Sequence, residues 1–287
     1  VAIQAAAKDG FLEANGLRLH YLEWGDAAVP SIVMLHGLRS SARTWDPVAQ
    51  PLSAQYRVLA LDQRGRGDSD WAPHGDYTRD AFVADLEAFV TQLGLERFVL
   101  HGHSMGGANA IVYAAKHPER VRAAIIEDMG PATDPPMPGS ARIGRELDAT
   151  PSSFASWVEA EAHMRMLRPT LSPETLQAVV QSSLKQLPDG TVTWRYDLAG
   201  IRAARARPGG QAPSDLWPHV RNLRCPTLVL RGGMSDILSA EMPRAMSEAN
   251  PYIRWVEIPY ASHTVHDDNL GPYNREVARF LQELPPA

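Results

Sequence analysis

The feature that most restricts this chain is a series of short apolar runs, each bounded by turn residues. They are SIVMLH (31–36), RVLALD (57–62), RFVLH (97–101), VRAAIIE (121–127), PTLVLR (226–231) and IRWVEI (253–258). The middle ones are nearly continuous in apolar residues rather than alternating, the pattern of strands buried on both faces of a parallel sheet. Helical stretches lie between them. Residues 78–93 place Phe82, Leu86, Phe89 and Leu93 on one face, with Gly94 where a helix should stop. Residues 105–116, 240–249 and 273–284 supply three more helices. Strand and helix in alternation predict an α/β chain on a mostly parallel sheet. Residues 11–24 read as an antiparallel hairpin at its edge, turning at Asn15-Gly16.

The alternation stops after Gly130. Residues 131–138 (PATDPPMP) are a linker by composition, and from Ser140 to about Pro213 the chain reads mainly as helices. Within that stretch, residues 191–196 (TVTWRY) read as a short extended piece. The expected organisation is a core of residues 1–130 and 216–287, with residues 131–215 inserted over the carboxyl ends of the strands. A length of 287 residues suits one core of about 200 residues plus such an insertion.

Charge and cysteine usage exclude several classes. The formal net charge is -5, without the basic excess of a duplex-binding surface. The densest basic patch, residues 201–207 (IRAARAR), reads as a solvated face. A single cysteine, Cys225, rules out an intrachain disulfide and suits a reducing compartment. No apolar run approaches the roughly 18 residues of a membrane span, and VAIQAAAKDG has no signal-peptide pattern. The expectation is a cytoplasmic protein with no nucleic-acid or membrane partner. Its oligomeric state, a homo-oligomer included, stays open.

The strongest chemical signal is Gly102-His103-Ser104-Met105-Gly106, which fits G-x-S-x-G. A β-run precedes it and a small-residue helix follows. Such a serine sits in a sharp strand-to-helix turn, where side chains two residues before and after would clash. The helix then aims its N-terminal dipole at charge that develops in the reaction. In acyl transfer two backbone N–H groups receive the oxyanion. Met105, directly after the serine, is one candidate, and Leu38, in the His36-Gly37-Leu38 loop after SIVMLH, is the other. His36 reads as a brace for that loop.

A serine hydroxyl needs a base, and the base needs an orienting acid. The order along the chain should be serine, acid, histidine. Asp236 follows PTLVLRGGMS and His263 follows IRWVEIPYAS, each just past a strand end. They are the expected acid and base. Asp128, after AAIIE, is a rival acid, and His266 a rival base. His263 and His266 lack the glutamate of H-E-x-x-H and an obvious third ligand, so no metal site is expected. His101 and His103 read as structural.

Taken together, HGL, DQRGRGDSD, GHSMGG, LRGGMSDIL and ASHTVHDDN resemble the α/β-hydrolase superfamily, from Leu17 to Leu284 apart from the insertion. The resemblance implies an α/β-hydrolase fold: an eight-stranded sheet flanked by helices, with a helical cap. It also implies a triad of Ser104, Asp236 and His263, and no cofactor. Serine at the elbow sets this chain apart from the aspartate-bearing epoxide hydrolases and dehalogenases of the fold. DQRGRGDSD is similar to the superfamily's loop after the fourth strand, its charges tying the loop to the core, which accounts for the Arg66-Gly67-Asp68 tripeptide without an adhesion role.

The expected activity is hydrolysis of a moderately apolar ester or lactone, with Trp157, Met164 and Trp194 in the pocket. Met166, Leu167 and Tyr196 are further lining candidates. One alternative is a carbon–carbon bond hydrolase, with Arg39, Arg43 or a cap arginine holding a carboxylate. Another, from a different class, is a ligand-sensing binding protein on the same fold.

Overall fold

The structure, a computed structural model of the chain, describes residues 7–132, 136–207 and 215–285. The first six residues, residues 133–135 of the proline-rich linker, residues 208–214 just before the expected end of the insertion at 215, and the last two residues lie outside the described residues.

β1 (Lys8–Ala14) and β2 (Leu17–Trp24) form the edge hairpin. Asn15 and Gly16 turn it with φ of 53° and 77°, the left-handed pair that a two-residue turn needs. β3 (Ser31–Leu35), α1 (Asp46–Leu52) and β4 (Arg57–Leu61) follow. α2 (Arg79–Gln92) is capped by the Thr78 hydroxyl, which accepts from the Ala81 amide, and is stopped by Gly94 at φ 65°. β5 (Phe98–His103), α3 (Met105–Lys116) and β6 (Val121–Glu127) complete the first half.

The insertion follows as α4 (Pro138–Ala149), β7 (Ser153–Phe154), α5 (Trp157–Leu167), α6 (Pro173–Ser183), β8 (Leu184–Gln186), β9 (Val192–Trp194) and α7 (Leu198–Ala206). The chain returns with α8 (Trp217–Asn222), β10 (Thr227–Gly232), α9 (Met242–Ala249), β11 (Ile253–Ile258), α10 (Val265–Asp268) and α11 (Leu270–Gln282).

The main sheet has eight strands in the order β1-β2-β4-β3-β5-β6-β10-β11. Only the pairings β1–β2 and β2–β4 are antiparallel, and the first is the hairpin expected from the sequence. Val33, Leu35, Leu100 and Ile126 enter one apolar cluster with α2 and α3, while Ile32, Met34, Val99 and Ile125 enter another with α1 and α11. Alternate residues therefore bury on opposite faces, and both faces are covered.

The insertion has its own apolar cluster, centred on Leu147, Phe154, Leu176, Val192 and Trp194. It is not purely helical. β7, β9 and β8 make a three-stranded antiparallel sheet, which extends the expected extended piece at 191–196. The reading of residues 201–207 as a solvated face fails at Arg202. Its guanidinium donates to the carbonyls of Leu147, Asp148 and Thr150, satisfying the open C-terminal end of α4.

Candidate active site

Ser104 lies in the turn between β5 and α3 with φ 53° and ψ -117°, a region that non-glycine residues rarely occupy. The flanking glycines make the turn feasible. A Cβ on Gly102 would lie 2.3 Å from the Gly106 oxygen, and one on Gly106 would lie 2.2 Å from the Leu35 oxygen. The strained conformation points Oγ at the base: it lies 2.8 Å from Nε2 of His263, in the turn after β11. Ser104 and His263 meet as expected from sequence.

The acid does not. Asp128, one residue past β6, lies with Oδ2 2.7 Å from Nδ1 of His263. A proton on Nδ1 donated to this carboxylate leaves Nε2 free to accept from the Ser104 hydroxyl. Asp128 is fully buried, and its φ of 47° turns the side chain toward the histidine. Its remaining acceptor capacity is used: the Gly232 amide donates to Oδ1 at 3.0 Å and the Ser235 hydroxyl to Oδ2 at 2.5 Å. These donors satisfy the buried carboxyl oxygens without exposing them to water.

Asp236, the acid expected from sequence, is engaged elsewhere. Among the described residues no hydrogen bond joins it to His263. Arg142 of α4 holds both its oxygens, at 2.7 and 2.9 Å. That bond draws the Asp236 carboxyl below its usual range and raises the Arg142 guanidinium further. The backbone is committed too, since the Gly139 amide donates to the Asp236 carbonyl at 2.8 Å. Asp236 thus ties the loop after β10 to the insertion. The place against His263 expected for it from sequence is occupied by Asp128.

A second, deeper pair sits behind the first. Glu127 and His266, the neighbours in sequence of Asp128 and of the histidine turn, are both fully buried. Nδ1 of His266 is 2.8 Å from Glu127 Oε1, and the Tyr273 hydroxyl donates to Oε2 at 2.8 Å. Burial opposes charge on His266, but the Glu127 carboxylate outweighs it and lifts the imidazole to about 9. Burial likewise works against Glu127, but the facing His266 imidazolium holds its carboxyl far below the usual range. His266 is therefore not a rival base; Glu127 and the Thr44 hydroxyl occupy its two ring nitrogens.

The other histidines brace the site. His103 Nε2 donates to the His263 carbonyl at 2.9 Å, and burial pushes its pKa down to about 3, so it stays neutral. His36 is also neutral, pushed by burial to about 4. Its Nδ1 bonds the Gly37 carbonyl and its Nε2 accepts from the Gln63 amide, which fixes the loop carrying Leu38. Among the described residues neither the Leu38 nor the Met105 amide takes part in a backbone hydrogen bond, so both remain available as donors.

A cavity of about 440 Å³ opens onto Ser104 and His263. Met164 and Trp194 line it as expected, with Leu167 and Tyr196. Trp157 does not: it starts α5 on the outer side and is 38% exposed. Three arginines missing from the principal sequence expectation also line the cavity. Arg39 pairs with Glu146, Arg142 with Glu146 and Asp236, and Arg168 with Asp267. Arg43 lies elsewhere, beside Asp9 and Asp46.

Among the described residues, one cluster has the spacing of metal ligands: His20, Asp62 and Asp68. Its donor atoms are committed. His20 bonds Asp62 and Asp9, while Asp62 accepts from the Ala42 and Asp68 amides.

A family model for the alpha/beta hydrolase fold matches residues 30–270. A 3-hydroxybutyrate-oligomer hydrolase of Cupriavidus necator is 31% identical to this chain, over 91% of it and 93% of the relative. An N-formylmaleamate deformylase of Pseudomonas putida is 28% identical over 95% of this chain and 96% of its own. Among solved structures, an alpha/beta hydrolase from Novosphingobium aromaticivorans superposes with a TM-score of 0.85 at 31% identity, covering 96% of this chain and 98% of that one. E-2-(acetamidomethylene)succinate hydrolase shares the fold, with a TM-score of 0.86 at 24% identity over 96% and 100% of the two chains.

Proposed function

The chain belongs to the alpha/beta hydrolase fold family, and we propose that within it this is a serine hydrolase that cleaves a small carboxylic ester or lactone through an acyl-enzyme. The observation that carries this reading is the continuous line from Ser104 Oγ through His263 to the buried Asp128, at 2.8 and 2.7 Å, opening on a cavity.

His263 takes the hydroxyl proton as Ser104 attacks the carbonyl. The amides of Leu38 and Met105 receive the oxyanion, helped by the N-terminal dipole of α3. Asp128 holds the tautomer and stabilises the imidazolium. His263 then protonates the leaving group, and water activated by the same imidazole releases the acid. Every step uses groups of this chain; the scheme requires no cofactor.

The insertion acts as a cap in this proposal, with Met164, Leu167 and Trp194 giving the cavity an apolar wall. The arginines, each paired with a carboxylate that also lines the cavity, give it a polar side, which suits a moderately apolar substrate whose acid group exchanges with one of those carboxylates. The names of the two relatives, for 3-hydroxybutyrate oligomers and for N-formylmaleamate, also denote carboxylic acid derivatives. The same arginines favour a second reading, hydrolysis of a carbon–carbon bond in a keto acid, where Arg39, Arg142 or Arg168 would hold the carboxylate.

The test is turnover of p-nitrophenyl esters with and without a terminal carboxylate, alongside a vinylogous diketo acid, for wild type and Ser104→Ala. Ester turnover that falls on the order of 10⁴-fold or more in the variant supports the main reading. Turnover of the diketo acid alone moves the assignment to the second. Equal ester turnover by the folded variant contradicts both.

A further inference from the structure

Arg66, in the loop after β4, is only 1% exposed. Its neighbours in that loop have ordinary ionic partners: Arg64 holds Asp85 at 2.6 Å, and Asp68 holds Arg195 at 2.7 Å. Arg66 differs. Among the described residues no carboxylate is within ion-pairing distance of its guanidinium. Burial pushes its pKa down to about 10, which still leaves it a cation at neutral pH. A buried charge without an ionic partner is strongly disfavoured unless hydrogen bonds and polarisable groups surround it.

The groups around Arg66 are specific. Nε donates to the Leu38 carbonyl at 3.2 Å and Nη1 to the Arg64 carbonyl at 2.8 Å. Nη2 lies 3.8 Å from the Met105 sulfur. The rings of Tyr77 and Phe82 face the guanidinium at 4.8 and 5.2 Å, a cation–π arrangement that compensates part of the lost hydration. Leu38 and Met105 are the two residues whose amides receive the oxyanion in the serine-hydrolase reading. They belong to the loop after β3 and to the start of α3, and one guanidinium touches both.

Resting on the serine-hydrolase reading above, we propose that Arg66 is a positioning residue of the acyl-transfer site. It locks the Leu38 loop to the start of α3 so that the two amides converge on one point, and its charge favours the negative charge that develops there. Because it works behind the donors, it acts on the tetrahedral state more than on the bound ester. Arg66 also joins the site to the insertion. Its backbone bridges to Tyr196, which lines the cavity, and the Tyr77 hydroxyl beneath it donates to Asp197 at 2.7 Å.

The test uses Arg66→Met, which keeps the stem and removes charge and donors, and Arg66→Lys, which keeps the charge without the fork. For each, kcat and KM are measured on p-nitrophenyl butyrate, with inhibition by an alkylboronic acid that adds Ser104 Oγ to become a tetrahedral anion. Thermal melting confirms the fold. In Arg66→Met, kcat should fall roughly 10- to 100-fold, less than the roughly 100- to 1,000-fold of losing a direct donor. KM should stay within about threefold, boronate affinity should fall with kcat, and Arg66→Lys should recover part of both. Unchanged kcat and boronate affinity in a folded Arg66→Met overturns the proposal. Failure of both variants to fold also overturns it, by assigning Arg66 to the framework. A wild type that neither turns over the ester nor binds the boronate removes the underlying reading, and the proposal with it.

Discussion

The loop after β6 and the loop after β10 leave neighbouring, parallel-paired strands at the same end of the sheet, and each carries an aspartate. Asp128 follows its strand directly, is fully buried, and is surrounded by the Gly232 amide, the Ser235 hydroxyl and His263. Asp236 comes four residues past its strand, its side chain is 36% exposed, and Arg142 of the insertion takes both its oxygens. The β10 loop still reaches Asp128, because Gly232 and Ser235 donate to it from there. Chain order admits either aspartate as the acid. The arrangement of donors and the competing arginine separate them.

The largest effect should come from breaking this contrast on the β6 side. Asp128→Asn loses the carboxylate that fixes the His263 tautomer, and kcat on a p-nitrophenyl ester should fall about 10³- to 10⁴-fold. Asp236→Asn should stay within about tenfold of wild type in the same assay. The reverse order would restore Asp236 to the role expected from sequence.

The structure sets Asp128 rather than Asp236 against His263 for a physical reason. The strand runs, the glycines of the elbow and the two histidine-bearing or serine-bearing turns are local, and their chemistry is legible in order along the chain. The mostly parallel sheet with its hairpin edge and the meeting of Ser104 with His263 follow from such local signals, while the count of eight strands is what the resemblance to the superfamily implies. Arg142 is 94 residues from Asp236 and lies in the insertion, so no local pattern reveals that it claims this carboxylate. A signal for Asp128 did exist, in the position of the acid pair Glu127-Asp128 at the very end of a buried strand. The sheet in the insertion was missed except at 191–196 because β7 and β8 have only two and three residues, too short to show a period. The pocket arginines were hard to place for the same reason as Arg142, since their partners come from distant segments.

A smaller effect should follow from freeing Asp236. Arg142→Met removes its pairs with Asp236 and Glu146, both partly exposed. Pairs of this kind are worth about 1 kcal/mol or less, so the loss of stability should be slight and KM should move by less than about tenfold. A carboxylate-bearing ester should be affected more than a neutral one, in parallel kinetic runs. A collapse of kcat for both would mean that Asp236 and Arg142 belong to the chemistry.

The smallest effect concerns the pair behind the triad and is read in stability. His266 is raised to about 9 in the fold. Its contribution is therefore complete below the ordinary histidine value near 6.5 and is lost as pH rises through about 9. The depressed Glu127 acts at the opposite end, and its contribution is lost only in strong acid. The melting temperature should drop by a few degrees between neutral pH and pH values of about 9 to 10, and Glu127→Gln should flatten that drop. A drop of equal size in the variant would place its origin elsewhere.

The most direct measurement of the central claim is proton NMR of the His263 Nδ1–H, which a short bond to a buried carboxylate shifts strongly downfield. The resonance should be present in wild type, persist in Asp236→Asn, and vanish or move far upfield in Asp128→Asn. Its loss in Asp236→Asn with survival in Asp128→Asn would contradict the account.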